Sequence, residues 1–296
     1  MAIATGNPAA AVGGGQPAGG SLTQRYYRRF TPIERVLHAC LMLTFVGCAL
    51  SGLPLLYADK AWAPPLARIL GGFQGAGLIH RICAAVMIVV FVSHVTMIFY
   101  RAIAGGRLMK ILWGPDSMVP QPQDIIDIYR NFLWFLGRGA RPQFDRWTYW
   151  EKFDYFAVFW GVAIIGGTGL MLWFPEIFTR VFPGWMVNVA TTIHSDEALL
   201  AVSFIFVVHF FNTHFRPEKF PIDTVIFTTG MPLEEFKRDR PREYQQLVES
   251  GRLEENLMPE PPARSVRFWR RLGFTALGLG LAMIGLIIYA MLFAYR

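Results

Sequence analysis

Long runs of hydrophobic residues alternate with charged segments along the chain. Five runs carry few charges, and they cover residues 36–57, 77–100, 153–174, 190–213 and 272–294. Each is near or above the ~20 residues that a helix needs to cross the hydrocarbon core of a bilayer. The pattern predicts an all-α fold, a polytopic membrane helix bundle with five transmembrane helices.

The composition agrees with a membrane protein. Hydrophobic residues make up 53% of the 296 residues and charged residues only 17%, whereas a water-soluble domain of this length would carry more charge. The net charge of +7 does not indicate nucleic-acid binding, because the basic residues lie between the hydrophobic runs. The Ala-, Gly- and Pro-rich residues 1–24 have no signal-peptide core, and we expect them to be disordered.

The distribution of Lys and Arg predicts the orientation. The segment before the first run and the two long loops, 101–152 and 214–271, are rich in basic residues, whereas the loops between the first and second runs and between the third and fourth carry few. Basic loops stay on the cytoplasmic side. We therefore expect a multi-pass protein of the bacterial inner membrane, with a cytoplasmic N-terminus and a periplasmic C-terminus.

The long loops are predicted to contain helices of their own. In residues 124–137, Ile125, Ile128, Phe132 and Phe135 recur at near-helical spacing, which is typical of a helix lying in the membrane interface. Residues 231–250 are mostly charged and predict short polar helices that Pro241 interrupts.

All six histidines fall within, or at the edge of, a hydrophobic run. They are His38 in the first run, His80 and His94 in the second, and His194, His209 and His214 in or beside the fourth. An imidazole in hydrocarbon must find a hydrogen-bond partner or a metal, because burial without one costs free energy. One such histidine can be an ordinary packed polar residue, but six indicate a repeated need for ligands.

The histidines also fall into two layers. The second and fourth runs cross the membrane in the same direction, and His80 and His194 open them. His94 follows His80 by 14 residues and His209 follows His194 by 15, a helical rise of roughly 21–23 Å. His38 enters from the opposite side, at the depth of His94 and His209. Two layers favour two stacked bis-histidine haems b.

Other residues suit a porphyrin. Arg81, beside His80, and Arg216, after the fourth run, are candidates for pairing with haem propionates. Small residues at 84–85 and 166–169 would let the macrocycle approach the helices. His214 lies about 200° around the helix from His194, so the alternative for it is an interfacial histidine beside a propionate or lipid headgroup.

Four stretches, in order, resemble the membrane cytochrome b subunits of bacterial formate dehydrogenases and of nickel–iron hydrogenases. They are "FTPIERVLHACLMLTFVGCALSGLPLLY", "ARILGGFQGAGLIHRICAA", "FDYFAVFWGVAIIGGTGLMLWFP" and "VATTIHSDEALLAVSFIFVVHFF". The resemblance covers roughly residues 25–250. It implies a four-helix haem-binding core, to which this chain adds a fifth transmembrane helix.

The resemblance also implies a pairing of ligands. His80 and His194 match the outer haem, and His38 and His209 match the inner one. His94 is extra and could replace His38, and the spacing from His194 to His209 is one residue longer than usual. A third haem that uses all six histidines therefore stays an alternative.

The expected function is electron transfer between the membrane quinone pool and an outer-face redox partner. The predicted cofactors are haem b, two or three per chain, and quinone. The predicted partners are membrane lipid, quinone or quinol, and periplasmic or membrane redox subunits such as a multihaem cytochrome c or an iron–sulfur protein. No residue is predicted to be catalytic, and the chain would serve as a subunit of a quinone-linked oxidoreductase complex. Proton handling at quinone could use His214 or Asp223 inside, or Asp196 and Glu197 outside.

Two other classes remain as alternatives. His209 and His214 together resemble one histidine box of a di-iron membrane hydroxylase or desaturase, although that chemistry needs several boxes. A proton-coupled transporter could use histidines as relays but would not need two matched layers. We divide the chain into a disordered segment (1–24), the four-helix cytochrome b core (25–215), a cytoplasmic loop (216–270) and the fifth transmembrane helix (271–296).

Overall fold

The computed structural model describes residues 25–293. The predicted disordered segment, 1–24, lies outside the described residues, as do the last three residues. The described chain contains twelve α-helices: α1 Pro32–Leu56, α2 Ala63–Ile69, α3 Gly72–Ile103, α4 Leu108–Leu112, α5 Pro122–Phe135, α6 Tyr149–Trp173, α7 Pro175–Phe178, α8 Trp185–Phe204, α9 Val225–Thr228, α10 Leu233–Asp239, α11 Pro241–Glu249 and α12 Ala263–Phe293.

Five helices are long and apolar enough to cross a membrane, which confirms the predicted all-α polytopic bundle. They are α1, α3, α6, α12, and α8 together with the π-helical turns that extend it to Phe215. The helices are longer than the hydrophobic runs that predicted them. The fifth begins at Ala263 rather than residue 272, because the hydrophobic run marks only the apolar part and misses the basic first turns.

The helices of the core form two hairpins. Helix α1 packs mainly on α3, and α6 packs mainly on α8. Both hairpins begin with the same device, a threonine N-cap whose side chain accepts from a glutamate N–H three residues later: Thr31 with Glu34, and Thr148 with Glu151. This capping box satisfies two N–H groups that the first turn leaves unpaired.

Glycines allow the close contacts between helices. A Cβ on Gly47 of α1 would lie 2.5 Å from Sγ of Cys83 on α3. A Cβ on Gly280 of α12 would overlap the ring of Phe206, so the fifth helix can pack against the fourth span only because position 280 has no side chain. Small residues at helix contacts are the usual way in which membrane helices approach one another.

A small sheet closes one end of the bundle, and the sequence did not predict it. Strand β1 (Tyr26–Arg28) lies between β2 (Gly230–Pro232) and β3 (Leu257–Met258), with both pairings antiparallel. The strands are two or three residues long, and β1 lies more than 200 residues before β2 and β3 in the chain. Such short strands show no alternation that a sequence pattern could reveal.

Around this sheet lies a dense set of salt bridges, which we call the ion-pair end. Arg29 has a side chain only 1% exposed and pairs with Glu243 at 3.2 Å. Further pairs join the loops to the start of α6 and to one another: Arg240–Glu151, Lys152–Asp124, Arg242–Asp145, Arg141–Asp239 and Lys219–Asp223. These contacts hold residues 25–30 and both long loops at the same end of the bundle, as the charge pattern predicted.

Helix α5 has its polarity reversed relative to a helix of a water-soluble protein. Asp124, Asp127 and Asn131 are buried against the ion-pair end, whereas the hydrophobic residues of the predicted interfacial face are exposed. Lys152 at the start of α6 holds Asp124 through two hydrogen bonds of 2.8 and 2.9 Å. An exposed apolar face beside the start of a transmembrane helix is consistent with the predicted interfacial helix. Helices α10 and α11 meet at Pro241, where the sequence predicted a break.

Candidate functional site

The structure brings the rings of His80 on α3 and His194 on α8 close together in an edge-on arrangement. Their ring centroids are 6.1 Å apart, and the ring planes are inclined by 72°. The two rings belong to different hairpins, so this contact bridges the halves of the bundle. The separation is compatible with one metal ion bound to both rings, because a metal–imidazole bond is about 2 Å long.

Both rings are held by hydrogen bonds of the same kind. Nδ1 of His80 donates to the carbonyl of Cys48 at 3.1 Å, and Nδ1 of His194 donates to the carbonyl of Ile165 at 3.0 Å. A carbonyl can only accept, so Nδ1 carries the hydrogen in each ring. In the neutral imidazole Nε2 is then unprotonated and available to a metal.

The acceptors belong to a repeat that the sequence analysis missed. Ser51-Gly52-Leu53 in α1 corresponds to Thr168-Gly169-Leu170 in α6, and the accepting carbonyl lies four residues before the glycine in both. Each hydroxyl also lies near its Nδ1, at 3.3 Å for Ser51 and 3.4 Å for Thr168. The signal was the Ser/Thr-Gly-Leu triplet, which appears once in each of these spans.

The glycines of this repeat leave room for the rings. A Cβ on Gly52 would lie 3.1 Å from Cε1 of His80, and a Cβ on Gly169 would lie 3.0 Å from Cε1 of His194. Each imidazole therefore lies directly against a helix backbone. This contact and the hydrogen bond come from the same helix, α1 for His80 and α6 for His194, and together they fix the ring against that helix.

A second group of histidines lies toward the ion-pair end. His38 is close enough to His209 and His214 to interact electrostatically with both. Its Nδ1 is buried and has no hydrogen-bond partner in the described part of the chain, and its ring contacts Phe227 edge-on at 5.2 Å. A buried ring nitrogen without a partner is costly, so His38 fits a site in which the imidazole binds a further group.

His209 differs from His80 and His194 in its partner. Its Nδ1 lies 3.1 Å from Oδ2 of Asp154 on α6. The helix is π-helical at Ile205–His209 and again at Phe211–Phe215. A π-turn takes up an extra residue, which explains how the longer spacing between His194 and His209 is accommodated and why a rotation of 100° per residue could not predict the direction of His209.

The remaining two histidines are engaged within the fold. Nδ1 of His214 accepts from the backbone N–H of Asp223 at 3.2 Å, so its hydrogen is on Nε2 in the neutral ring. Nε2 of His94 forms a hydrogen bond of 2.9 Å with the hydroxyl of Tyr155. In this structure neither ring presents a free Nε2 lone pair to a metal.

The two candidate arginines stack on tryptophans. The guanidinium of Arg81 lies 5.8 Å from the ring centre of Trp173, and that of Arg216 lies 4.6 Å from Trp150. Burial lowers the pKa of Arg216 from its ordinary value, although neighbouring carboxylates oppose this. Among residues 25–293 neither arginine forms a salt bridge, so both can pair with an anionic group.

No group of three or more His, Cys, Asp or Glu side chains placed to hold a metal ion occurs in the part of the chain that the structure describes. The histidines instead lie near one another across the helices, His80 with His194 and His38 with His209 and His214. The unpartnered nitrogen of His38 and the glycine spaces beside His80 and His194 fit haem b.

A five-span bundle with paired histidines from opposed hairpins defines a membrane cytochrome b. Consistent with this, the sequence profile of the prokaryotic cytochrome b561 family matches residues 29–219, a stretch that holds the first four spans and all six histidines. The match covers well over half of the chain, and the chain belongs to this family. A comparison with curated proteins found no match.

Family membership confirms the resemblance to the cytochromes b of hydrogenases and formate dehydrogenases. The protein is a membrane haem b electron-transfer protein, as the sequence predicted. The number of haems, the individual ligands, the quinone and the redox partner are taken up below as proposals.

Proposed function

We propose that the chain carries electrons between a redox partner at the end distant from the ion-pair end and the membrane quinone pool, through two haems b. His80 and His194 would hold one haem, and His38 and His209 the other. The single observation that carries the proposal is the matched geometry of His80 and His194, whose ring centroids lie 6.1 Å apart and whose Nδ1–H groups both donate to a backbone carbonyl.

Haem b, when bound, supplies reversible one-electron chemistry at its iron. The residues of the chain bind and orient it. The carbonyls of Cys48 and Ile165 hold the rings of His80 and His194 in the tautomer that leaves Nε2 available. Arg81 and Arg216 are candidates to pair with propionates, because neither forms a salt bridge with a carboxylate among the described residues.

For the inner haem we assign His38 and His209. The buried, unpartnered Nδ1 of His38 marks a ring whose surroundings are incomplete without a further group. His94 and His214 are left out because Nε2 of His94 contacts Tyr155, and Nε2 of His214 carries the hydrogen. A two-haem protein therefore agrees better with the hydrogen bonds than the three-haem alternative does.

A quinone site is proposed beside His214. Since Nδ1 of His214 accepts from Asp223, the Nε2–H group can donate to a quinone oxygen. Lys219 lies 3.2 Å from Asp223. Burial opposes the charge of Lys219, but Asp223, Glu235 and Asp239 together raise its pKa above the ordinary value, so a cation stays next to the proposed site.

The orientation is assigned from charge. The ion-pair end collects the basic segments, so we assign it to the cytoplasm and the His80–His194 end to the periplasm of a bacterial inner membrane. The redox partner would then be a periplasmic or membrane subunit such as a multihaem cytochrome c or an iron–sulfur protein.

Haem stoichiometry in single variants tests the ligand assignment. The purified chain should hold two haems b. His80→Ala and His194→Ala should each lose the same haem, and His38→Ala and His209→Ala should lose the other. The two haems are told apart by their midpoint potentials in reduced-minus-oxidised spectra.

Matched controls are the two histidines left out of the assignment. His94→Ala and His214→Ala should retain two haems, and His214→Ala should lose reduction by quinol while keeping both. Retention of both haems in His80→Ala would overturn the outer assignment. Three haems in the unmodified chain, with one lost in His94→Ala or His214→Ala, would establish the three-haem arrangement instead.

A further inference from the structure

The Nδ1 partners of three proposed ligands differ in charge. His80 and His194 donate to neutral backbone carbonyls, whereas His209 donates to the carboxylate of Asp154 at 3.1 Å. Nothing in a transmembrane helix forces this difference, since backbone carbonyls are available on every turn. The carboxylate is therefore a specific feature of the inner site.

Asp154 is placed so that its charge acts on His209. The residue is 8% exposed, and its second oxygen, Oδ1, is buried and has no hydrogen-bond partner among the described residues. No Lys or Arg among the described residues forms a salt bridge with it, whereas Glu151, one turn earlier on the same helix, pairs with both Arg240 and Arg29. His209 is the partner that the structure gives to the carboxylate of Asp154.

We propose that Asp154 is a positioning residue that lowers the midpoint potential of the inner haem through His209. A carboxylate that accepts from Nδ1 draws the hydrogen away from the ring and raises the electron density on Nε2. A more basic ligand and a nearby negative charge both stabilise ferric over ferrous iron, and the buried setting strengthens the effect. The inference rests on the proposed assignment of His209 as a haem ligand.

The consequence is that one side chain, Asp154, creates a difference in midpoint potential between the two haems. The haem of His38 and His209, next to the proposed quinone position, becomes a stronger one-electron donor than it would be if His209 donated to a backbone carbonyl. The same side chain keeps the ring of His209 in the tautomer with a free Nε2, as the carbonyls do for the outer pair.

The test is a redox titration of the full chain purified in detergent, with Asp154→Asn compared with the unmodified protein. Asparagine keeps the shape and an accepting oxygen but removes the charge. We expect one of the two haem potentials to rise, with about a tenfold change in the ferric–ferrous equilibrium or about 59 mV, while the other potential is unchanged. The matched control is Glu151→Gln, a carboxylate on the same helix that contacts no histidine, and it should shift neither potential.

Unchanged potentials in Asp154→Asn with both haems present, or equal shifts of both, would overturn the proposal. If Asp154→Asn loses one haem, Asp154→Glu is the deciding variant, because it keeps the charge. Asp154→Glu with both haems at their original potentials supports the proposal. A raised potential in Asp154→Glu, or loss of a haem in both variants, refutes it. His209→Ala separates this from the proposed function. If His209→Ala keeps both haems, the ligand assignment itself is wrong; if it loses one and Asp154→Asn shifts nothing, only the role of Asp154 is wrong.

Discussion

Replacing Gly169 by alanine tests how tightly the helix backbone holds the imidazole of His194. The added methyl group would lie 3.0 Å from Cε1 and 3.3 Å from Nδ1 of His194, where ordinary contacts begin at 3.4 Å. The ring must therefore move by a few tenths of an ångström. Movement away from α6 also lengthens the hydrogen bond from Nδ1 to the carbonyl of Ile165, now 3.0 Å.

The cost follows from two contributions. Crowding in a well-packed site costs about 1–3 kcal/mol, and weakening a neutral hydrogen bond costs about 0.5–1.5 kcal/mol. Since about 1.4 kcal/mol corresponds to a tenfold change in affinity, the haem that we propose His194 binds should be held at least about tenfold more weakly in Gly169→Ala. The haem proposed for His38 and His209 should be unaffected, because neither residue contacts this position.

The assay is the rate of haem transfer from the purified chain to an excess of a haem-scavenging protein, followed separately for the two haems by their spectra. Gly167→Ala is the matched control, since a Cβ at this position of the same helix would meet nothing within 4 Å. Equal transfer rates for Gly169→Ala and the unmodified chain would refute the reasoning. So would an equal acceleration in Gly167→Ala, because the effect would then not depend on contact with His194.

Three further outcomes are expected. Lys152→Met should destabilise the chain by about 3–5 kcal/mol, measured by thermal unfolding in detergent, because it leaves the carboxylate of Asp124 buried without its cation; an unchanged midpoint would contradict this. Burial alone would raise the pKa of Asp239, but Lys219 and two arginines outweigh it and hold the pKa below the ordinary value of 3.8. The stability that these pairs contribute is therefore present above pH 3.8 and is lost as the pH falls through the folded pKa, so the midpoint temperature of unfolding should fall below about pH 4. Asp239→Asn should make the midpoint temperature less dependent on pH in this range. The variant should also lower the free energy of unfolding by about 1.5–3 kcal/mol at neutral pH. Acid–acetone should extract all haem, since the sequence has no Cys-x-x-Cys-His motif for covalent attachment; haem that stays with the chain would show the cofactor type to be wrong.

The transmembrane architecture could be predicted because hydrophobicity and basic charge are local signals. A run such as 77–100 is recognisable without knowledge of its neighbours. The grouping of His80 with His194, and the placing of His38 at the depth of His94 and His209, followed from helix direction and depth, which also depend only on run boundaries, whereas the pairing of His38 with His209 came from the family resemblance. These inferences needed no information on side-chain contacts.

What the sequence did not reveal depends on contacts between distant segments. The sheet that joins β1 to β2 and β3 consists of strands too short to show a period. The partner of His209 is Asp154, 55 residues earlier, and an isolated acid near a predicted membrane edge gives no sign of its hydrogen bond. The π-helical turns at Ile205–His209 and Phe211–Phe215 depart from the 3.6-residue period on which a helix prediction rests.

The contact between His80 and His194 has a mechanical consequence. Each hairpin contributes one ring, so under the proposed ligation a single iron atom would crosslink the two hairpins at the end opposite the sheet. The ion-pair end is held together by salt bridges within the polypeptide, whereas the opposite end would be crosslinked only after the cofactor binds. A newly inserted chain could then admit haem if the two hairpins separate at the His80–His194 end while the ion-pair end stays closed. The heat resistance of the mature protein would consequently follow the supply of haem in the cell, by the mass action that couples any ligand to folding.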